Sequence, residues 1–195
     1  MNGGEFPKKI YLASASPRRR ELLQQLHIEF EVLPSNILEV RQAAESPVDY
    51  VQRVARDKAR FVTKLVSERG LTIYPVLGAD TEVVLAGEIF GKPRNREHAL
   101  EILGRLSGQT HEVLSALCVI DREQEYSAVS VSRVTFASLS ALEIKNYWQT
   151  GEPLDKAGGY AIQGKAAAFI ARIEGSYSGI MGLPLYELTD ILKKI

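Results

Sequence analysis

The sequence predicts an α/β protein. Three observations carry that reading. Short apolar runs of strand length are interspersed with longer segments whose apolar residues recur every three or four positions. Two of the runs, about His111 to Ile120 and Ala128 to Ser138, flank the charged turn Asp121 to Glu125 and read as an antiparallel hairpin. A chain of 195 residues, with no internal repeat, low-complexity tract or long linker, suits one domain that buries a real core. Residues 1–195 therefore read as a single unit, with residues 1–8 expected to be flexible.

Taken in order, Ile10 to Ala13 is a short strand. Ser16 follows as the predicted N-cap of a helix that has Pro17 at its first position and Leu22, Leu23 and Leu26 on its apolar face. Arg18, Arg19 and Arg20 lie in the first turn, where cations oppose the helix dipole; either a polyanion offsets that cost or they form surface ion pairs. Glu29 to Pro34 alternates as a strand, and Ser35 to Ser46 is a polar connection containing Glu39. Ser46, Pro47 and Asp49 open a long helix whose buried stripe is Val51, Val54, Ala55, Ala59, Val62 and Leu65. Lys58 falls on that stripe, so it either snorkels outward or meets a buried anion. Arg53, Arg56, Asp57 and Arg60 read as the solvated side.

Val76 to Pro93, VLGADTEVVLAGEIFGKP, is the stretch around which the chain is organised. A first apolar run is expected to stop at Gly78, placing Asp80 and Thr81 at its end. A second, Val83 to Leu85, turns at Ala86-Gly87-Glu88 and returns to Gly91-Lys92-Pro93. This offers an acid and a lysine beside glycines that admit a ligand to the backbone. The competing reading is an ordinary hairpin with a turn Asp and a solvated Lys. Beyond it, Asn95 caps a helix bearing Ala99, Ile102, Leu103 and Leu106, stopped by Gly108. Ser140 and Glu143 form a capping box. Glu152 to Gly164 has the composition of a binding loop. Ala166 to Ile173 is predicted as a strand, Gly175 to Gly179 as a turn, and Leu183 to Leu192 as the last helix.

Composition excludes several classes. Basic and acidic residues balance at 24 each, so no global field draws in nucleic acid. No run of apolar residues could span a membrane, and the N-terminus lacks a signal core, which points to the cytoplasm. The one cysteine, Cys118, reads as a small buried thiol. P-loop and Rossmann phosphate-binding fingerprints are absent. His27, His98 and His111 are scattered and read as structural, leaving hard oxygen ligands that suit Mg²⁺ or Mn²⁺.

Three blocks in order, SASPRR with the following ELL, GADTEVVLAGEIFGKP with LSGQTHEV, and EPLDKAGGYAIQG with GSYSGIMGLPL, resemble the Maf family of nucleoside triphosphate pyrophosphatases. The resemblance runs from about Ile10 to Leu188 and is nearest to the subfamily acting on dTTP and UTP. It implies a mixed twisted sheet with flanking helices and two lobes around a central cleft, similar to the inosine triphosphate pyrophosphatases. It also implies a divalent cation, Mg²⁺ or Mn²⁺, a nucleoside triphosphate substrate and a possible homodimer. By motif it makes Asp80 the catalytic base and puts Ser14, Arg18, Arg19, Thr81 and Gln163 on the substrate. Lys58 and Lys92 fall on the triphosphate or metal side, and Glu39 and Asp80 are the metal carboxylates. Departures are Ala15, Ser115, and Lys165-Ala166 after the IQG. Two other readings stay open: a non-enzymatic nucleotide-responsive regulator of septum formation, and the same chemistry on 7-methyl-GTP.

Overall fold

The computed structural model describes residues 6–195, so most of the end expected to be flexible lies outside the described residues. Lys9–Leu12 (β1) runs parallel to both Glu29–Val32 (β2) and Val76–Leu85 (β3). Glu88–Phe90 (β4) returns antiparallel beside the far end of β3. Thr110–Asp121 (β5), Gln124–Phe136 (β6) and Ile170–Glu174 (β7) continue antiparallel from the other edge of β3. The result is a mixed seven-stranded sheet in the order β2-β1-β3-β5-β6-β7, with β4 branching from β3.

Pro47–Glu68 (α2) covers one face of this sheet. Ser46 Oγ accepts from Asp49 N at 3.1 Å, which satisfies one of the free donors of the first turn. Val51, Val54, Ala55, Ala59 and Val62 are buried as expected, whereas Leu65 is half-buried and Val66 closes the stripe. Val51 and Ala55 pack into an apolar cluster with Val84, Leu114 and Ala116, and Ala59, Val62 and Val66 into another with Tyr11, Val76, Cys118 and Ile120. Each fully buried Val or Ile contributes about 1.5–3 kcal/mol. Pro17–Gln25 (α1), Arg96–Leu106 (α3), Ala141–Gln149 (α4), Tyr177–Met181 (α5) and Leu185–Leu192 (α6) share the main core on the opposite face, around Leu77, Ala79, Val83 and Phe136.

Four local expectations are corrected. β3 does not stop at Gly78 but runs unbroken from Val76 to Leu85. Gly78 serves the helix rather than a ligand: a Cβ there would lie 2.2 Å from the Ala55 carbonyl oxygen. The segment after the IQG is not a strand throughout; Lys165–Phe169 forms 3₁₀ turns and only then does β7 begin. Gly175–Gly179 is not a simple turn, because Ser176 Oγ accepts from Gly179 N at 3.0 Å and starts α5. Ser16 holds the N-cap position of α1, yet its side chain makes no capping bond. The Ser140–Glu143 capping box and the Asn95 cap hold, while the charged turn narrows to Arg122 and Glu123 because β6 starts at Gln124, and α6 starts at Leu185 rather than Leu183.

The pairing of β3 positions the site. β5 accompanies it continuously from Val76 to Val84. On the opposite edge β1 reaches only Val76 and Leu77, and β4 begins only at Val83. Gly78 to Glu82 therefore face an opening between β1 and β4. Alternation along the strand sends Asp80 and Glu82 to the α2 face and Thr81 to the other.

Gly78→Ala should destabilise the fold by about 3 kcal/mol or more, since the clash is with helix backbone. Gly104→Ala, in α3 with nothing near its added Cβ, should stabilise by about 0.5–1 kcal/mol. Urea denaturation of the two variants checks both signs.

Candidate active site

The opening beside β3 is the floor of a cavity of about 490 Å³. Its walls come from distant parts of the chain: the Ser14–Arg19 turn, the 34–39 loop, α2, the β4 exit, the 155–163 loop and the 180–182 corner. All nine residues singled out from the sequence line it: Ser14, Arg18, Arg19, Glu39, Lys58, Asp80, Thr81, Lys92 and Gln163.

On the α2 face, Lys58 does not snorkel. It is 6% exposed, and its Nζ lies 2.8 Å from Asp80 Oδ1 and 2.9 Å from Glu39 Oε1. Asp80 is 4% exposed, and its Oδ2 has no hydrogen-bond partner. The loop carrying Glu39 is tied to α2: Arg53 pairs with Glu45 at 2.6 Å and donates to Val40 O at 2.9 Å, and Tyr50 Oη donates to Glu39 O at 3.3 Å. Arg53 is thus a clasp and not part of a solvated face. Its role is invisible in sequence because its partners belong to an irregular loop.

On the other face, Arg19 is buried and each of its three guanidinium nitrogens makes a hydrogen bond. Nε donates to Gly182 O at 2.8 Å, Nη1 to Ser14 Oγ at 3.0 Å and Nη2 to Thr81 Oγ1 at 3.3 Å. Burial pushes the guanidinium below its ordinary value, opposed chiefly by the charge of Asp80. Thr81 Oγ1 also lies 2.9 Å from Ser115 Oγ, which donates to Gly179 O at 2.6 Å. Ser115, a departure from the family pattern, is therefore part of this network. Arg18 is half-buried, 3.5 Å from Asp155 O, while Lys92 and Gln163 stand exposed at the rim. Lys156 and Asp155 join the wall from the loop that composition had marked for binding.

Two contributors were missed. Glu82, next but one to Asp80, is 9% exposed, and its Oε2 has no partner. Burial first, then the charges of Asp80 and Glu39, push its carboxyl up to about 8. Only the strand period, which puts Glu82 on the face of Asp80, could have flagged it. The second is His111, 1% exposed, whose Nε2 lies 2.8 Å from Tyr160 Oη within an edge-to-face cluster with Phe136. It anchors Tyr160, and through it the wall that ends at Gln163. Gly158, at φ 68°, allows this loop to lie on β3: a Cβ there would be 2.8 Å from Val83 Cγ2.

The donor set fits a hard divalent cation, because Asp80 Oδ2 and Glu82 Oε2 are buried acceptors without partners on the cavity wall. Among the described residues no three His, Cys, Asp or Glu side chains stand together as a complete metal site. Water and ligand oxygens must supply the remaining positions, as Mg²⁺ commonly requires. Also among the described residues, no helix is long and apolar enough to cross a membrane.

The Maf-like protein family model matches residues 9–195, and the chain belongs to that family. It is 51% identical to the dTTP/UTP pyrophosphatase of Alkalilimnicola ehrlichii, over 96% of this chain and 93% of the relative. It is 52% identical to the dTTP/UTP pyrophosphatase of Methylococcus capsulatus, over 96% and 91%. Among solved structures, the Ham1 protein of Staphylococcus aureus is similar at 10% identity with a TM-score of 0.48, covering 96% of this chain and 97% of that one.

Burial lowers the His111 imidazole from 6.5 to about 4. Between those values the unfolded chain binds more protons than the folded one, so this group removes stability as pH falls from 6.5 towards 4. The loss attributable to it approaches roughly 3 kcal/mol near pH 4, at about 1.4 kcal/mol per unit. Urea titrations at several pH values should show a shallower decline between pH 6.5 and 4 for His111→Gln than for the wild type.

Proposed function

We propose that this chain is a nucleoside triphosphate pyrophosphatase that cleaves the α–β phosphate bond of dTTP and UTP, releasing the nucleoside monophosphate and pyrophosphate. The observation that carries the reading is the buried Asp80 carboxylate, with one oxygen held by Lys58 and the other free, on the wall of a cavity that also presents Arg18, Lys92 and Lys156. The names of relatives at about half identity support the same reaction and the same bases.

In this reading the cationic side chains of the cavity neutralise the triphosphate, and the first turn of α1, which has no capping side chain, offers its backbone N–H groups to phosphate oxygens. Lys58 fixes the orientation of Asp80, whose free Oδ2 orients the attacking water and takes its proton. Glu39 and Asp80 would hold the divalent cation, Mg²⁺ or Mn²⁺, which when bound supplies charge stabilisation at the phosphate oxygens. In-line displacement at phosphorus depends mainly on such positioning and charge compensation. Gln163 reaches the rim with an amide that both donates and accepts, matching a uracil or thymine edge. Arg19 shapes this pocket by fixing Thr81 and the Gly182 corner.

With Mg²⁺ or Mn²⁺ present, dTTP or UTP should yield monophosphate and pyrophosphate on ion-exchange chromatography; diphosphate with orthophosphate would refute the bond assignment. Asp80→Asn should lower kcat by about 10²–10⁴-fold while the protein stays folded, and near-normal turnover would remove Asp80 from the base role. Gln163→Ala should reduce discrimination among bases across a triphosphate panel more than it weakens triphosphate binding.

A further inference from the structure

We infer that Glu82 is a further ligand of the divalent cation, its Oε2 acting with Asp80 Oδ2 on the α2 face of β3. The inference rests on the proposed phosphoanhydride chemistry but adds a residue to it. The first reason is geometric. Asp80 and Glu82 are two apart on one strand, so their side chains leave the same face with Cα atoms about 7 Å apart. Both line the cavity, and each has a buried oxygen without a partner. The second is the state of the other carboxylate oxygens. Lys58 already stands between Asp80 Oδ1 and Glu39 Oε1, at 2.8 and 2.9 Å. A cation approaching Asp80 therefore meets Oδ2, the oxygen on which no ammonium sits. A carboxylate oxygen carries two lone pairs, so Oδ2 can face a cation and still orient a water.

The third reason is energetic. Along this face of β3 the neighbours Val76 and Val84 are buried in apolar clusters, and an aliphatic residue at position 82 would suit a strand there. A buried acid with an unpartnered oxygen costs stability whether it ionises or stays protonated. The charged groups facing it are Asp80 and Glu39, which repel it, and Lys58 and Lys92, which attract it. Lys58 is engaged elsewhere and Lys92 is exposed at the rim. A small dication bound between two oxygens offsets that cost better than either lysine.

The test uses Mn²⁺ alone, without nucleotide, so that it stands apart from turnover. Protein-bound Mn²⁺ is measured by electron paramagnetic resonance titration for the wild type, Glu82→Gln and Glu82→Met. Each variant should weaken Mn²⁺ binding tenfold or more; a smaller change, or no Mn²⁺ bound by the wild type, overturns the inference. Crystals of the wild type soaked in Mn²⁺ answer the same question without a variant. Anomalous density bonded to Glu82 supports it, and density bonded to Asp80 and Glu39 alone overturns it. Either result leaves the product assay for monophosphate and pyrophosphate untouched, so a failed ligand assignment is distinct from a failed reaction assignment.

Discussion

The contact on which the rest of the structure turns is the buried ammonium of Lys58 between Asp80 and Glu39. Buried ion pairs add little net stability, because removing the charges from water costs as much as their attraction returns. Here the pair sits between two apolar clusters on the inner side of α2, and those clusters hold the helix to the sheet. The charged layer between them serves geometry: it fixes one oxygen of Asp80 and leaves the other buried without a partner, on a residue that lines the cavity. Removing Lys58 would strand the Asp80 carboxylate in a poorly solvated place, whereas Lys58 without the Asp80 charge would keep Glu39 at 2.9 Å.

That layer can reach a ligand only because β3 is paired incompletely. A strand hydrogen-bonded on both edges throughout would bury Gly78 to Glu82 within the sheet. β1 ends too early and β4 begins too late to do so. The short turn at Ala86 and Gly87, with φ of 51° and 80°, sets where β4 begins. The tight approach of α2 at Gly78 sets how deep Lys58 lies. The 35–46 loop has no regular structure of its own and is held over the opening by Arg53 and Tyr50, which brings Glu39 to Lys58. Backbone pairing, one missing Cβ and one arginine clasp together define the pocket.

Much of this was legible in the chain. Helical periodicity located α2 and put Lys58 on its inner face, and cap residues located the starts of α2, α3 and α4. The candidate site residues came from motif resemblance, with local composition pointing to the same loops, and the structure brings all nine candidates into one cavity. What failed to show has physical reasons. Gly78 looked like a break because a glycine in a strand signals either a bend or a close neighbour, and only the packed helix distinguishes them. Ala166 to Phe169 continues without a break into the apolar residues of β7, but Glu152, 13 residues before Lys165, accepts from the Lys165 backbone N–H at 2.9 Å and from that of Ala166 at 3.2 Å, tying the segment to the preceding loop. Ser16 sits at the N-cap without a side-chain capping bond, while its own N–H donates to Ser14 Oγ at 3.2 Å. Arg53 acts through Glu45 and Val40 of an irregular loop, which no local pattern carries, and Glu82 is marked only by sharing the strand face of Asp80.

The alternation of β3 divides the labour of the proposed reaction. Its α2 face carries only charged groups into the cavity, Asp80 and Glu82 opposite Lys58, and is suited to phosphates and a cation. Its other face carries Thr81, held by Arg19 and Ser115 in a network of neutral acceptors and one buried guanidinium. That network reaches the Gly182 corner and faces the wall ending at Gln163, so it is suited to an uncharged base. A nucleotide laid across the open edge would then meet charge compensation on one side and hydrogen-bond matching on the other. Changes to the Thr81 side would, in the proposed reaction, alter which base is accepted, because rejecting a wrong polar edge depends on leaving its partners unpaired. Changes to the Asp80 side would, in the proposed reaction, alter whether the anhydride is cut at all. One residue of backbone separates the two functions, and a register shift of β3 by one would exchange them, which is why the continuous pairing with β5 from Val76 to Val84 matters as much to the chemistry as any side chain.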